Sequence, residues 1–440
     1  MNSREDDSKF IGEILNEVVR LKQTLIDLTM ELIHTRSVNP RYSGGVYDTE
    51  VGGEGACARL LADTLVSIGL DAQVFGAEVG RENCGGILRG RGGGKSIVLN
   101  GHTDTVPPGD VSKWVKNPWS RVIENGEIFG LGATDMKGPI AAAVVAAMAL
   151  KNVNALLRGD IVFQFVSGEE TSEGEIGTIA CVQKGYCAEA GICLEPTGQF
   201  IRGLNVLTLA PAAVGTLVFR VCVIGRTAHA ATRRESIYPT ESSRLGIGAF
   251  EKGLVITSAL SRLEQAWGFT KQSPVYSSGS FTINPGVVHA YTEGNPSAFF
   301  IADRFMAEYV AFYPPEEKPD DVKRQITACI ASAASQDEWL SAHPPIIEWM
   351  PSIPAAYPDP SHPIIIDLSA AIERVTGRSA ILHGLRGGCD AAWLCANDIP
   401  TIVYGPGNIA SAHTYNESIA VSELIEASQT LALLMLRFCS

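Results

Sequence analysis

The sequence predicts an α/β protein made of a discontinuous domain, residues 1–214 and 351–440, interrupted by an inserted ferredoxin-like α+β domain, residues 215–350. Three observations predict it. The chain has 440 residues, more than one average domain of roughly 150. Short apolar runs ending in polar residues alternate with helical periodicity in the first half, the pattern of an α/β sheet with chemistry at the carboxyl ends of its strands. The middle of the chain reads β-α-β-β-α-β, the split order of a ferredoxin-like sandwich.

The elements follow in chain order. Residues 10–35 carry Ile11, Ile14, Leu15, Val18, Val19, Leu25, Leu28 and Leu32 at helical spacing, which predicts an amphipathic helix or helix pair. Residues 54–69 repeat the pattern through Ala56, Leu60, Leu61, Leu65 and Ile68. Strands are predicted at 96–100, 160–166 and 190–194, with a helix at 140–150 among them. The first strand leads into Gly101-His102-Thr103-Asp104, the second into Ser167-Gly168-Glu169-Glu170, the third into Glu195-Pro196-Thr197. From Gly215 the rhythm changes. Strands at 216–224, 279–288, 298–312 and 345–350 alternate with helices at 241–267 and 320–343. A helix at 364–376, a strand at 401–404 and a helix at 422–438 then resume the first domain.

Composition narrows the function. Hydrophobic residues make up 45% and charged residues 19%, enough to bury a core. The net charge of −13, with no Lys/Arg run, makes a poor grip for a nucleic-acid backbone. The polar start, residues 1–9, predicts no secretory signal, and the apolar run 139–150 is too short to span a bilayer, so no membrane role is expected. Ten cysteines without a CxxC pair read as buried thiols in a reducing cytoplasm. Gly92-Gly93-Gly94-Lys95-Ser96 hints at a phosphate loop, but Arg89 stands where that motif needs glycine, and the segment precedes a strand rather than a helix. Gly130-Leu131-Gly132 reads as a simple turn.

Two of the eight histidines stand out. His102 closes an apolar strand, with Asp104 two residues on and on the same side of an extended chain. That carboxylate is placed to accept from the far ring nitrogen of a metal-bound imidazole. His413 follows Gly405-Pro406-Gly407 in a loop after a strand. Asp135, Glu169, Glu170 and Glu195 lie at other strand ends or loops. Neighbouring carboxylates at the end of an apolar strand are costly unless a cation or proton neutralises them. Two histidines and three carboxylates fit a two-zinc site with a shared aspartate and one glutamate left over as a base. The same acids also read as ordinary turn residues and solvated faces.

Taken in order, these segments resemble the M20 metallopeptidase family. They are His102-x-Asp104-x-Val106-Pro107, Gly132-x-x-Asp135-Met136-Lys137-Gly138, Glu169-Glu170, Glu195-Pro196-Thr197 and Gly405-Pro406-Gly407…His413…Asn416-Glu417. The resemblance implies a zinc-peptidase-like α/β catalytic domain carrying an inserted dimerisation or lid domain. It implies two Zn²⁺ ions, with Co²⁺ or Mn²⁺ as substitutes. His102 and Glu195 would hold one ion, Glu170 and His413 the other, and Asp135 would bridge them, an aspartate that in relatives precedes a cis peptide bond. Glu169 would be the general base and Asp104 would orient His102. In the inserted domain, Gly225-Arg226-Thr227-Ala228-His229-Ala230 resembles the segment whose histidine reaches a partner subunit's site. Asn284, Arg304 and the Gly387-Gly388-Cys389-Asp390 loop match substrate-contacting positions, Gly388 and Cys389 among them. Departures are Pro139, Cys389 and the segment 231–239 after His229.

The implied activity is hydrolysis of an amide by an N-acyl amino acid deacylase of acetylornithine deacetylase or succinyl-diaminopimelate desuccinylase type. Its anionic substrate would be gripped by Arg304, with Arg233 and Arg234 as candidates for a second anionic contact. A carboxypeptidase or dipeptidase, and a deacylase of a non-amino-acid N-acyl amine, are the alternatives. A non-catalytic binding protein would require loss of Glu169 or a ligand, and none is lost. A cytoplasmic homodimer is expected.

Overall fold

The computed structural model describes residues 2–42, 45–201, 203–237, 245–294 and 297–440. It divides into two compact units, Met1–Ala213 with Ala356–Ser440, and Val214–Ala355. The architecture is mixed α/β.

The first unit is built on a six-stranded sheet. Its strands lie in the order Asp71–Phe75, Asn83–Leu88, Ile161–Val166, Ile97–His102, Ala190–Cys193, Thr401–Val403. The last four run parallel. Every residue of Ile161–Val166 and Ile97–His102 is buried, as expected of near-continuous apolar strands covered on both faces. Two of their polar members, Asn100 and Gln164, satisfy each other. Asn100 and Gln164 are register partners, and Asn100 Nδ2 donates to Gln164 Oε1 at 3.0 Å and to Thr178 Oγ1 at 2.7 Å.

The alanine-rich helix Gly138–Asn152 packs into the core with Lys22–His34 and Val421–Phe438. The stretch Ala133–Asn152, kinked at Asp135 and Met136, has 20 residues and is apolar enough to cross a membrane by composition, longer than the sequence reading gave it. Its most apolar window is fully buried inside the protein, so its apolarity is that of a core helix. The expected opening helix pair is Asn2–Arg20 and Lys22–His34.

The second unit is a four-stranded antiparallel sheet in the order Ile283–Tyr291, Arg304–Tyr313, Gly215–Ile224, Ile346–Trp349. Alternation along Gly215–Ile224 turns Leu217, Phe219, Val221 and Val223 into a core completed by Ile256 and Leu260 of Ala249–Thr270 and by Val322, Ile326 and Ile330 of Pro319–Ser335. Phe219 stacks on Tyr309 with ring centres 5.1 Å apart. Several element ends differ from expectation, and the helix expected over 241–267 spans Ala249–Thr270. The helix expected over 320–343 breaks at Asp337, whose carboxylate accepts from the N–H groups of Trp339 and Leu340, both at 3.0 Å, and starts a new helix, Glu338–Ala342. The strands expected from 279 and 298 begin at Ile283 and Arg304. Residues 241–244 of the expected helix start, and 238–239 of the segment after His229, lie outside the described residues.

Candidate metal centre

The parallel strands deliver the site. Chain leaving Ile97–His102, Ile161–Val166, Ala190–Cys193 and Thr401–Val403 at their carboxyl ends supplies His102, the Glu169-Glu170 pair, Glu195 and His413. Donor atoms of His102, Glu169 and Glu195 lie within 4.8 Å of one another, as do those of His102, Asp135 and Glu170. Asp135 faces both histidines. Its Oδ1 is 3.0 Å from His102 Nε2 and its Oδ2 is 3.4 Å from His413 Nε2. Glu195 Oε1 is 3.6 Å and Glu169 Oε2 3.8 Å from His102 Nε2, and Glu170 is 3.2 Å from His413 Nε2. The Asp135–Met136 peptide is cis.

Electrostatics suit a cation. Burial first, then neighbouring carboxylates, push Glu195 well above the usual range, and burial with the charges of Asp390, Glu170 and Asp135 does the same to Glu169 despite His102. Burial raises Glu170 as well, against the pull of His413. Burial would lower His413, but its bonds to Asp135 and Glu170 hold it up at about 12. So many acids crowd one spot that the site carries an excess of negative charge, which a bound cation would offset. Two imidazoles and four carboxylates are hard-to-borderline N/O donors, the set that zinc, cobalt or manganese takes. The residues present fit such ions.

The support beneath these side chains differs from the sequence reading at Asp104. Its carboxylate does not accept from His102, whose Nδ1 is 3.7 Å from Asp104 Oδ1. Instead His102 Nδ1–H donates to the Asp104 main-chain carbonyl at 2.9 Å, which leaves Nε2 with its lone pair facing Asp135. The carboxylate turns the other way. It accepts from the N–H groups of Gly168 (3.1 Å), Glu169 (3.3 Å) and Glu170 (3.1 Å), and from Asn39 Nδ2 at 2.8 Å. Asp104 thus holds the loop carrying the Glu169-Glu170 pair.

Two supports were missed. Glu417, buried, accepts from the N–H groups of Gly132 (3.1 Å), Thr134 (2.8 Å) and Asp135 (3.0 Å), and burial beside Asp135 lifts its carboxyl to about 8. The Asn416-Glu417 pair after His413 was its only signal. The second, the buried Arg81–Glu54 ion pair with Asn39 beside it, had no signal, because its members are distant in sequence.

The remaining expected residues are placed as follows. Cys389 is fully buried beside Cys193, and Gly388 is half-buried. His229, Asn284 and Arg304 belong to the second unit. His229 is exposed, and its Nδ1 accepts from Ala231 N–H at 3.1 Å. Asn284 is exposed on the edge strand Ile283–Tyr291. Arg304 was expected to need a substrate carboxylate as partner, but it is paired with Glu293, and Nη1 donates to Asp303 O at 3.3 Å. Arg233 is likewise paired with Glu251.

Comparison with known proteins gives the following. The family model described as Peptidase family M20/M25/M40 matches residues 98–437. An N-formyl-4-amino-5-aminomethyl-2-methylpyrimidine deformylase from Bacillus subtilis is 29% identical, covering 98% of this chain and 98% of the relative. A protein of the same name from Halalkalibacterium halodurans is 30% identical over 78% of this chain and 79% of its own length. The crystal structure of Bacillus subtilis YXEP protein, a dinuclear metal binding peptidase from the M20 family, superposes with a TM-score of 0.63 at 16% identity, covering 96% of this chain and 99% of that one.

Proposed function

The chain belongs to peptidase family M20/M25/M40, whose members hydrolyse amide bonds, and from that premise we propose a two-metal deacylase that removes a formyl-sized acyl group from a heteroaromatic methylamine. Asp135 carries the reading: its two oxygens face two histidines, 3.0 and 3.4 Å away. That is the arrangement a bridging carboxylate needs. His102 with Glu195, and Glu170 with His413, would hold one ion each, and zinc matches the donor set best. When bound, the ions supply Lewis acidity at the scissile carbonyl.

This chain's own residues do the rest. Glu169 takes the proton of the attacking water at a carboxylate oxygen and gives it to the departing amine nitrogen. The Asp104 carboxylate holds the Glu169 loop through three main-chain N–H groups. Glu417 fixes the backbone of Asp135.

The acyl and amine choices rest on two supports. The relatives matched at 29% and 30% identity bear the pyrimidine deformylase name. Arg304, the expected anchor for an amino-acid carboxylate, is already paired with Glu293. An N-acyl amino acid deacylase or a dipeptidase is the second reading, favoured by Arg304 being partly exposed. In keeping with ten unpaired cysteines, the same reading places the protein in the cytoplasm, and as a homodimer formed through the second unit. The test is a panel of the N-formyl aminomethylpyrimidine, N-acetyl and N-succinyl amino acids and dipeptides, with elemental analysis of the active protein. Turnover of the pyrimidine formamide above the others supports the proposal. Preference for the amino-acid amides, or activity without a transition metal, overturns it.

A further inference from the structure

A cavity of about 280 Å³ opens in the first unit, with Pro196, the residue after Glu195, in its wall. Four chain segments line it, Thr208 and Ala210 forming one, and the other three continue into the site already described. Pro196–Phe200 follows Glu195 directly. His383–Arg386 leads into Cys389 and Asp390. Asn408–Ala410 leads into His413. The cavity therefore sits at the carboxyl ends of the neighbouring parallel strands Ala190–Cys193 and Thr401–Val403, where ligands of open α/β sheets bind. Its volume lies just below the usual range for ligand pockets, which begins at about 300 Å³. That suits a single ring better than a peptide.

The lining is apolar with few polar groups. Phe200, one of the lining residues, stands on the hairpin Gly198–Ile201/Leu204–Leu207 with 70% of its surface exposed. Ile409 and Leu385 add apolar wall. Arg386 is its only side chain of fixed charge; no acid lines the cavity, and among the described residues no carboxylate pairs with Arg386. Gln199 adds a carboxamide, 3.4 Å from His383 Nδ1 through its nitrogen. Burial, then the charge of Arg386, lowers the pKa of His383, so near neutral pH it adds no second charge. Asn408 is committed to structure: its Nδ2 donates to Asn205 Oδ1 at 2.9 Å and its Oδ1 accepts from Ala410 N–H at 2.9 Å.

We propose that this cavity is the specificity pocket for the leaving amine, holding a planar nitrogen heterocycle of the 4-aminopyrimidine class with its face on Phe200 and its ring-nitrogen edge on Arg386 and Gln199. The chemistry matches. An aromatic ring stacks on an exposed phenyl face. A ring nitrogen accepts from a guanidinium N–H, and an adjacent exocyclic amine pairs with a carboxamide oxygen, the donor–acceptor edge by which Gln or Asn reads an aminated ring. A formyl group needs almost no pocket of its own, so one small cavity is enough. The assignment rests on the deformylase reading and gives it a physical reader.

The experiment uses the metal-loaded full chain, its Arg386→Ala and Phe200→Ala variants, and four probes. These are the N-formyl aminomethylpyrimidine, N-formylbenzylamine, N-formylglycine, and the free 4-amino-5-aminomethyl-2-methylpyrimidine for calorimetric binding. Arg386→Ala should lower the kcat/KM ratio of pyrimidine to benzyl substrate about tenfold or more, mainly through KM. Phe200→Ala should lower both ring substrates relative to N-formylglycine. Binding of the free amine should weaken in both variants. If the pyrimidine formamide is turned over but neither ratio moves, the pocket assignment is wrong and the deformylase reading stands. If the formamide is not hydrolysed but the free amine binds through Arg386, the pocket stands and the reading falls. If the free amine does not bind, or if Arg386→Ala selectively harms N-formylglycine, the pocket is overturned, and in the second case it is a carboxylate site.

Discussion

Arg81 and Glu54 form a two-pronged ion pair that solvent does not reach. Arg81 Nε donates to Glu54 Oε2 at 2.5 Å and Nη2 to Oε1 at 3.0 Å, with the two side chains 0% and 1% exposed. The pair supports the chemistry from below. Glu54 Oε1 also accepts from Gly168 N–H at 3.1 Å, at the start of the Glu169-Glu170 loop, and Arg81 Nη2 lies 2.9 Å from Glu173. Removing one partner strands a buried charge, which costs about 3–5 kcal/mol. Arg81→Met should therefore lower stability by that amount in urea denaturation, and Arg81→Met with Glu54→Leu should recover much of it. A loss under about 1 kcal/mol in the single variant would show that water reaches the pair.

Glu169→Gln should keep the metal content and lose about 10²–10⁴-fold in kcat, since an amide cannot accept the water's proton. Elemental analysis beside steady-state kinetics checks both halves. Loss of metal together with rate would make Glu169 a ligand, an outcome its place among His102 and Glu195 makes worth measuring.

The strands that carry the site were legible because burial on both faces demands unbroken apolar runs, as in Ile97–His102 and Ile161–Val166. The hairpin Asp71–Phe75/Asn83–Leu88 was not, because Gly85 and Gly86 interrupt its apolar run. They are glycines for contact reasons: a Cβ at Gly85 would come within 2.3 Å of the Tyr186 ring, and one at Gly86 within 2.5 Å of Leu65. Spacing brought His102 and Asp104 together correctly, but it could not tell that the carbonyl rather than the carboxylate meets the ring. Arg81, Glu54 and Asn39 lie 27 and 42 residues apart in sequence, so no local pattern links them.

Asp337 gives a pH-dependent prediction in the second unit. Its carboxylate caps Glu338–Ala342 and lies 2.6 Å from Lys252 Nζ. Burial opposes ionisation, but the bonds from Lys252 and from the N–H groups of Leu340 and Trp339 outweigh it and hold the pKa below its ordinary 3.8. A depressed folded-state pKa adds stability above the unfolded value, lost as pH falls through the folded value. Asp337→Asn keeps a good cap, so wild type should be the more stable at pH 7, by under about 1 kcal/mol. The gap should close as the pH drops below 3.8. Thermal melts of both proteins from pH 7 to pH 2.5 measure it, and a gap that persists in acid would remove the charge from the explanation.

Ile283–Tyr291 is an edge strand, bonded only to Arg304–Tyr313 among the described residues, with Asn284 through Tyr291 exposed. Such an edge is a template for pairing across a two-fold axis. A homodimer is therefore expected in sedimentation. If His229 completes the partner's site, a His229→Ala chain mixed with a Glu169→Gln chain should recover activity that neither has alone. An active monomer at nanomolar concentration would sink both expectations.

Arg304 decides between amine classes. Its guanidinium is paired with Glu293 and also donates to Asp303 O, and its side chain is 34% exposed. A substrate carboxylate would have to replace Glu293, which is a weak competitor because such half-exposed pairs contribute only ~0–1 kcal/mol. Arg304→Ala alone would therefore be ambiguous, and Glu293→Gln supplies the control. If Arg304 anchored a carboxylate, freeing it should lower KM for N-acyl amino acids, and deleting it should cut their kcat/KM relative to the carboxamides by at least about tenfold. A heteroaromatic amine has no carboxylate for Arg304 to meet. The expected result is that both variants leave the acid-to-carboxamide ratio within about twofold of wild type. A tenfold fall in Arg304→Ala, mirrored by a gain in Glu293→Gln, would return the substrate to the N-acyl amino acids.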